Sequence, residues 1–554
     1  MVSVNTVNQS LNLNKKQESS QMFQALKISL LLSLIALSLT LKAQTSSGNS
    51  KWKSITKKHM SVEDSAFCSK KNYNLVAPNI SPLMKKLLKD IDPYLKHGTV
   101  DRFRSFSGSN YASRRVYRTG DEIFGLAKAL IENAEHEVLL QTYLYEKNSL
   151  GVIKLREGVE ALEKRLKAEE KRGKKIVPVN VKILVDNQSG LVGTVLDKSG
   201  MLFKGLFKKN PIGHDVYGLG FKRPIDKKYV RLEVQLFNHT MLGSNHSKSI
   251  IVDRSKGIIM GSNLMRYHDK FKKWGNISPE TDHGFLVMGN IGQGLAEDFY
   301  FAWQKGNKYF TNDPDKMVPR AGYNDLTRRK RFKLPKVVKK WVTKRILEKS
   351  VPIALITKKD VNVPWKRNSK NPQDQAFLSL FRNAKSNVNI VSPNLNAPVL
   401  MEAMVKALKR GVDINILLSK NYQDFISKMP MAGGTNLNNV KKIKKQIRKY
   451  AQKNPRKKVG VFNIRWFVDR KGRVSRESGK DKEKLGKWTS HTKYMSVDNQ
   501  ITVVGSANMD SQSWYYSREL NIAIDHHEIS RKWCNLVFRT DFLRALKFDP
   551  NEKD

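Results

Sequence analysis

The chain reads twice through one programme of secondary structure, and this repeat constrains its fold more than any other feature. In the first pass, "DEIFGLAKALIENAEHEVLLQTYLY" gives a helix-periodic run and then a strand. "LREGVEALEKRLKAEEKRGKK" follows as a charged helix and "VNVKILVD" as a buried strand. In the second pass, "DQAFLSLFRNAKSNVNIVSPNL" is again helix then strand, and "APVLMEAMVKALKRGVDINILLS" gives helix, Arg-Gly turn and strand. The segments "ENAEHEVLLQTYL" and "RNAKSNVNIVSPNL" align by eye. Alternating strands and helices predict a sheet covered by helices on both faces. The repeat is far too long for a solenoid, so two duplicated α/β domains are expected.

Each pass ends in the same short pattern. "NHSKSIIVD" places His246, Lys248 and Asp253 at the offsets that "SHTKYMSVD" gives to His491, Lys493 and Asp498. Residues two apart on a strand share a face, so each histidine is expected to project beside its lysine. A further apolar run and a glycine turn follow in both, "GIIMGSNLM" and "ITVVGSANMD". Histidine can act as nucleophile, acid or base near neutral pH, and lysine supplies fixed charge for phosphate oxygens. Asn263 and Asn508 offer amide donors to the same oxygens, and Ser262 and Ser506 offer hydroxyls. A single His-x-Lys on a strand is usually a surface or capping histidine. Two copies with matching aspartates and turns point instead to displacement chemistry on a phosphodiester. One imidazole would attack phosphorus while the other handles the proton of the alcohol. A metal site is disfavoured, because each cluster offers one imidazole beside a cation-repelling lysine. No cofactor is called for.

The residues H-x-K-x(4)-D followed by G-S-x-N make the chain resemble the phospholipase D superfamily. The second copy, "HTKYMSVDNQITVVGSANMDSQSWYYSREL", is the closer match. The family's D-x-R-S and N-x-E read here Asp510-Ser-Gln512-Ser513 and Ser517-Arg-Glu519, with Gln512 and Ser517 departing from it. The first copy continues into "WGNISPETDHGFLVMGNIGQGLAEDFYFAW", similar to the family's W-x-D stretch and its trailing helix with Phe299 and Trp303. The resemblance spans roughly residues 101 to 545. It implies two α-β-α sandwich domains with pseudo-twofold symmetry, one shared active site and a phosphohistidine intermediate without metal. Glu519 and Asp282 would be the acids that orient the imidazoles, with Glu280 as fallback for the latter. Asp253 and Asp498 would buttress the strands. Family precedent makes His246 the nucleophile and His491 the general acid/base, an order the sequence leaves reversible.

Charge and termini bear on the substrate. Lys and Arg number 101 against 50 Asp and Glu, a net +51, which suits a polyanionic partner, either anionic lipid or nucleic acid. Lys15, Lys16 and Lys27 precede the apolar run Ile28 to Leu41, which is shorter than the roughly 20 residues of a comfortable span. Residues 1–43 are therefore expected to be a signal peptide or an N-terminal anchor, and the protein exported or membrane-anchored. A basic region (44–100), a first domain (101–325), a basic linker (326–350), a second domain (351–545) and a tail (546–554) would follow. The linker interleaves Phe332, Val337, Val338, Trp341 and Ile346 with basic residues; it reads equally as a surface-lying segment or a solvated connector. Cys68 and Cys534 are the only cysteines and are expected to be unpaired, buried thiols. With both motifs in one chain a monomer is expected. The expected function is a phospholipase D or cardiolipin synthase-type phosphatidyltransferase on an anionic phospholipid membrane. The alternative is a metal-independent nuclease of the same superfamily.

Overall fold

The computed structural model describes residues 80–186, 217–239, 243–269, 280–313, 346–361, 367, 369–422, 427, 433–469, 472 and 489–552. The leader, Cys68 and most of the basic linker lie outside these. Among the described residues no helix is long and apolar enough to cross a membrane.

The chain opens with α1 (Pro82–Ile91), capped by the Ser81 hydroxyl, which accepts from the Met84 amide at 3.1 Å. The first half then runs β1 (Phe106–Ser113), β2 (Tyr117–Arg118), α2 (Thr119–Ile131), β3 (Glu137–Thr142), α3 (Leu150–Lys171), β4 (Val179–Asp186), β5 (Val230–Phe237), β6 (Ser244–Asn245), β7 (Ser249–Val252), β8 (Lys256–Met260), β9 (Glu280–Thr281), β10 (His283–Gly289), α4 (Ile291–Trp303) and β11 (Gly306–Thr311). The second half comprises β12 (Leu347–Lys358), α5 (Pro372–Asn383), β13 (Asn387–Ser392), α6 (Pro398–Lys409), β14 (Asp413–Leu418), α7 (Asn436–Lys453), β15 (Phe462–Trp466), β16 (Thr489–Ser490), β17 (Tyr494–Val497), β18 (Ile501–Gly505), α8 (Ser511–Tyr515), β19 (Ser517–Asp525) and α9 (His527–Trp533).

Both halves build their strands in one order. β3, β4 and β5 pair in parallel, and on the other side of β3 the strands β7, β8 and β10 follow antiparallel. Likewise β13, β14 and β15 are parallel, and β17, β18 and β19 follow antiparallel from β13. The halves join through β1, which pairs with β10, and β12, which pairs with β1 and β19. The result is one continuous mixed sheet. Its central strands are buried on both faces, which explains their near-continuous Val, Ile and Leu content. In the first half α2 and α3 cover one face; in the second α1, α5, α6 and α7 do so. The opposite face is shared, with Phe285, Leu295 and Phe299 packing in one core with Val391, Tyr494 and Trp533. Helix α1, from the basic N-terminal region, thus belongs to the second half's core. Leu347–Ser350, at the end of the basic linker, begin β12. Cys534 is buried with a free thiol.

The repeated aspartates act away from the histidines. Asp253 (φ 52°) and Asp498 (φ 51°) open the β7–β8 and β17–β18 turns in the left-handed region, each followed by a second positive-φ residue. Such turns match the twist of the strands they join. The Asp498 carboxylate accepts from the amides of Lys385, Ser386 and Asn387 at 2.9, 2.8 and 3.0 Å. Asp253 accepts from Glu135, His136 and Glu137 in the same way. The fixed spacing from the histidine is the length of a strand that reaches from the site to the entry of β3 or β13. Replacing Asp498 by Ala should cost about 2–3 kcal/mol of stability, since these three bonds and a fourth from the Ser386 hydroxyl lose their acceptor. Urea denaturation of Asp498→Ala beside wild type would measure it.

Candidate active site

Two very short parallel pairings bring the halves together where the motifs lie. β6 pairs with the start of β19, setting Ser244 opposite Ser517 and Asn245 opposite Arg518. β9 pairs with β16, setting Glu280 opposite Thr489 and Thr281 opposite Ser490. The next residue on each motif strand is the histidine. The His246 amide donates to the Arg518 carbonyl at 3.0 Å and the His491 amide to the Thr281 carbonyl at 2.8 Å.

Each imidazole consequently meets a carboxylate from the other half. His246 Nδ1 lies 2.9 and 3.1 Å from the two Glu519 oxygens, and His491 Nδ1 lies 2.9 Å from Asp282 Oδ2. Asp282, not its neighbour Glu280, is the partner of His491. With Nδ1 engaged, Nε2 of each ring is left for substrate. Lys248 Nζ donates to the His246 carbonyl at 2.6 Å, and Lys493 donates to the His491 carbonyl. The lysines are 0% and 4% exposed, and His491 6%.

Burial and charge set the protonation. Burial pushes Lys248 down to about 7 and Lys493 down to about 8; nearby carboxylates partly restore both, and Lys493 lowers Lys248 further. Burial lowers both imidazoles, His491 well below the usual histidine value, and both feel both lysines. This mutual influence makes one site of the two motifs. Burial acts to raise Glu519, but His246, Lys248 and Ser506 outweigh it and hold the carboxyl down at about 2. Asp282 is raised, mainly by burial.

The glycine turns place the remaining motif residues. A Cβ on Gly261 would sit 2.5 Å from both Asp282 oxygens, so only glycine lets the turn cross the carboxylate. Ser506 was expected to donate to phosphate, but its single hydroxyl proton goes to Glu519 Oε2. It is an acid-holding group. The Ser262 hydroxyl is buried without a partner. Asn508 Nδ2 donates to Asp510 Oδ2 at 3.1 Å while its Oδ1 is unpartnered. Asn263 Oδ1 accepts from the Leu144 amide at 3.3 Å.

Four residues close to the histidines escape sequence reasoning. The Tyr143 ring lies edge-on to His246, with centroids 5.4 Å apart, and Lys248 Nζ is 5.3 Å from the Tyr143 ring centre. Tyr422 and His268 lie 6.1 and 5.9 Å from the His491 ring. The fourth is Arg518, whose carbonyl takes the His246 amide. None has a counterpart at the matching place in the other half, so the repeat that exposed the motifs gave no signal for them. His268, Asp282 and His491 bring ligand-capable atoms within 4.8 Å of one another, a donor set of the kind that holds divalent ions. Against this, Asp282 Oδ2 is engaged by His491, and the Lys493 ammonium is 3.9 Å away.

The arrangement sets two buried imidazoles in an α/β fold, each held by a carboxylate from the other half. Residues 377–539 match the family model described as "Cardiolipin synthase, PLD-like domain". The second half of the chain thus contains a phospholipase D-like domain over these residues. No curated protein matches the chain. Among solved structures it is similar to phosphatidylserine synthase from Haemophilus influenzae Rd KW20, at 12% identity and a TM-score of 0.48, covering 84% of this chain and 92% of that one. It is also similar to the phospholipase D family member Nuc from Salmonella typhimurium, at 14% identity and TM-score 0.25, covering 35% of this chain and 97% of that one. NucT from Helicobacter pylori, at 14% identity and TM-score 0.22, covers 35% and 98%.

Two outcomes are expected. Gly261→Ala should lower kcat on the order of a hundredfold by displacing Asp282, with circular dichroism unchanged. Separately, KM should rise with pH through the interval from about 7 to about 8, where Lys248 and Lys493 lose their protons and hence their charge. A pH series of initial rates measures this.

Proposed function

We propose that the protein is a phospholipase D or phosphatidyltransferase acting on phospholipids through a covalent phosphohistidine. The observation that carries this is the crossed pair of dyads, His246–Glu519 and His491–Asp282, each spanning the two halves. A site with two imidazoles so held serves a two-step displacement at phosphorus. His246 Nε2 attacks phosphorus and His491 gives its proton to the departing alkoxide. An anionic phosphodiester between the rings offsets the lysine charges and raises the proton affinity that burial has lowered. His491 then takes the proton of water or an alcohol, the new oxygen–phosphorus bond forms, and the bond to His246 breaks. Lys248 and Lys493 neutralise the non-bridging oxygens, aided by Asn263 and Asn508.

Phospholipid as substrate is supported by the description of the matching family model. The excess of basic residues fits an anionic membrane surface. Helix α7 adds to it: Leu437, Val440 and Ile443 are buried, while Lys442, Lys445, Arg448 and Lys449 face solvent. The leader suits an exported or anchored protein working at that surface, as a monomer that carries both motifs.

The test is a paired assay of the full chain in excess EDTA on phosphatidylglycerol vesicles and plasmid DNA. Phosphatidic acid or cardiolipin should appear by mass spectrometry, with turnover reduced at least about a thousandfold in His246→Ala and in His491→Ala. Alkaline quench should trap phosphohistidine in His491→Ala and none in His246→Ala. DNA cleavage with intact lipid would instead establish the nuclease.

A further inference from the structure

The two dyads are flanked differently. Residues two before each histidine and two before each acid share the face of that histidine and acid. Beside His246 and Glu519 these are Ser244 and Ser517, whose hydroxyls bond each other at 2.8 Å. That flank is satisfied within itself. Beside His491 and Asp282 the matching residues are Thr489 and Glu280. The Thr489 hydroxyl is buried without a partner.

His268 sits on the same flank. It is 0% exposed, and its Nδ1 lies 3.4 Å from the Glu280 carbonyl oxygen. Its Nε2 has no hydrogen-bond partner and stands 3.9 Å from Glu280 Oε2, beyond bonding distance. A buried imidazole nitrogen without a partner is costly unless a ligand completes it. Here it is paired across a gap with a carboxylate, beside the imidazole that handles the alcohol proton.

We propose that His268 and Glu280, with Thr489, form the subsite for the acceptor alcohol, and that they select an alcohol carrying a second hydroxyl or an amine near its reacting oxygen. This rests on the phosphatidyltransfer reading above. In the second step the reacting hydroxyl gives its proton to His491 Nε2 as its oxygen bonds phosphorus. The bond from phosphorus to His246 Nε2 breaks, and its electron pair returns to the ring. The second polar group meanwhile bonds His268 Nε2 and the Glu280 carboxylate, a contact that water or a simple alcohol cannot make.

The experiment offers full-length protein and phosphatidylglycerol vesicles equal amounts of ethanol and deuterated glycerol. Phosphatidylethanol, deuterated phosphatidylglycerol and phosphatidic acid are then counted by mass spectrometry. Wild type should favour glycerol, and the glycerol-to-ethanol ratio should fall about tenfold in His268→Asn, the share of one well-placed buried bond. Glu280→Gln, close to isosteric, should lower it too and serves as readout where His268→Asn folds poorly. A partition within one reaction does not respond to a general loss of active enzyme. Total turnover falling with the ratio fixed would overturn the subsite, as would a wild type indifferent to glycerol. A wild type that yields no product from lipid would overturn the phosphatidyltransfer reading and this inference with it.

Discussion

The shared site depends on a buried ion pair that lies behind it. Arg518 is wholly buried and faces Asp298, also wholly buried, at 2.6 Å between Nη2 and Oδ2. The same guanidinium donates to Gln141 Oε1 at 2.9 Å, Asn245 Oδ1 at 2.7 Å and the Asp298 carbonyl at 2.7 Å. Gln141 in turn donates to Asp298 Oδ2 and Ser249, and Thr99 donates to Asp298 Oδ1. A charge taken this far from water is tolerated only when its partners are many and fixed. Here they come from β3, β6, β7 and α4 of the first half, whereas Arg518 itself belongs to β19 of the second. The pair therefore ties the halves at one register. Its neighbours in sequence are Ser517, which closes one flank of the site, and Glu519, which holds His246.

That tie is one-sided. The position matching Arg518 in the other crossing is Thr281, which contributes its carbonyl to the His491 amide and brings no charge. The carboxylates differ in the same sense. Glu519 receives the Ser506 hydroxyl as well as His246 and stays ionised to about 2, whereas burial raises Asp282. The first dyad is the more strongly charged, and the second lies beside His268 and Glu280. A fold that repeats itself thus supplies two similar dyads, and departures from the repeat give them different surroundings.

How much of this was legible follows from what repeats. His246, Lys248, His491 and Lys493 were visible because each has a twin at the same spacing, and the strands were visible because buried β-structure needs continuous apolar runs. Asp253 and Asp498 were read as buttresses of the strands, but their place in left-handed turns was not visible, since strand length varies too widely for an offset to mark an end. Arg518 was hidden because its partners Gln141, Asn245 and Asp298 are distant in sequence and carry no pattern. Ser506 was misread because its hydroxyl can serve phosphate or carboxylate, and only the approach of Glu519 decides which. His268 has no twin. The place of α1 in the second half's core was equally hidden, since an amphipathic helix advertises a buried face but not the surface that covers it.

The buried lysines connect the local chemistry to the charge of the whole chain. Removing two ammonium groups from water is unfavourable, and the lowering of both toward neutral pH is the sign of it. A bound phosphodiester reverses that penalty by supplying the missing negative charge, so the site binds most strongly the group it must react with. The net +51 operates at longer range. It raises the concentration of any polyanion near the protein and weakens with salt. It does not distinguish lipid from nucleic acid, because both present phosphodiesters. On the proposal made above, that choice is made within the site, where the alcohols would fit beside His491, His268 and Glu280.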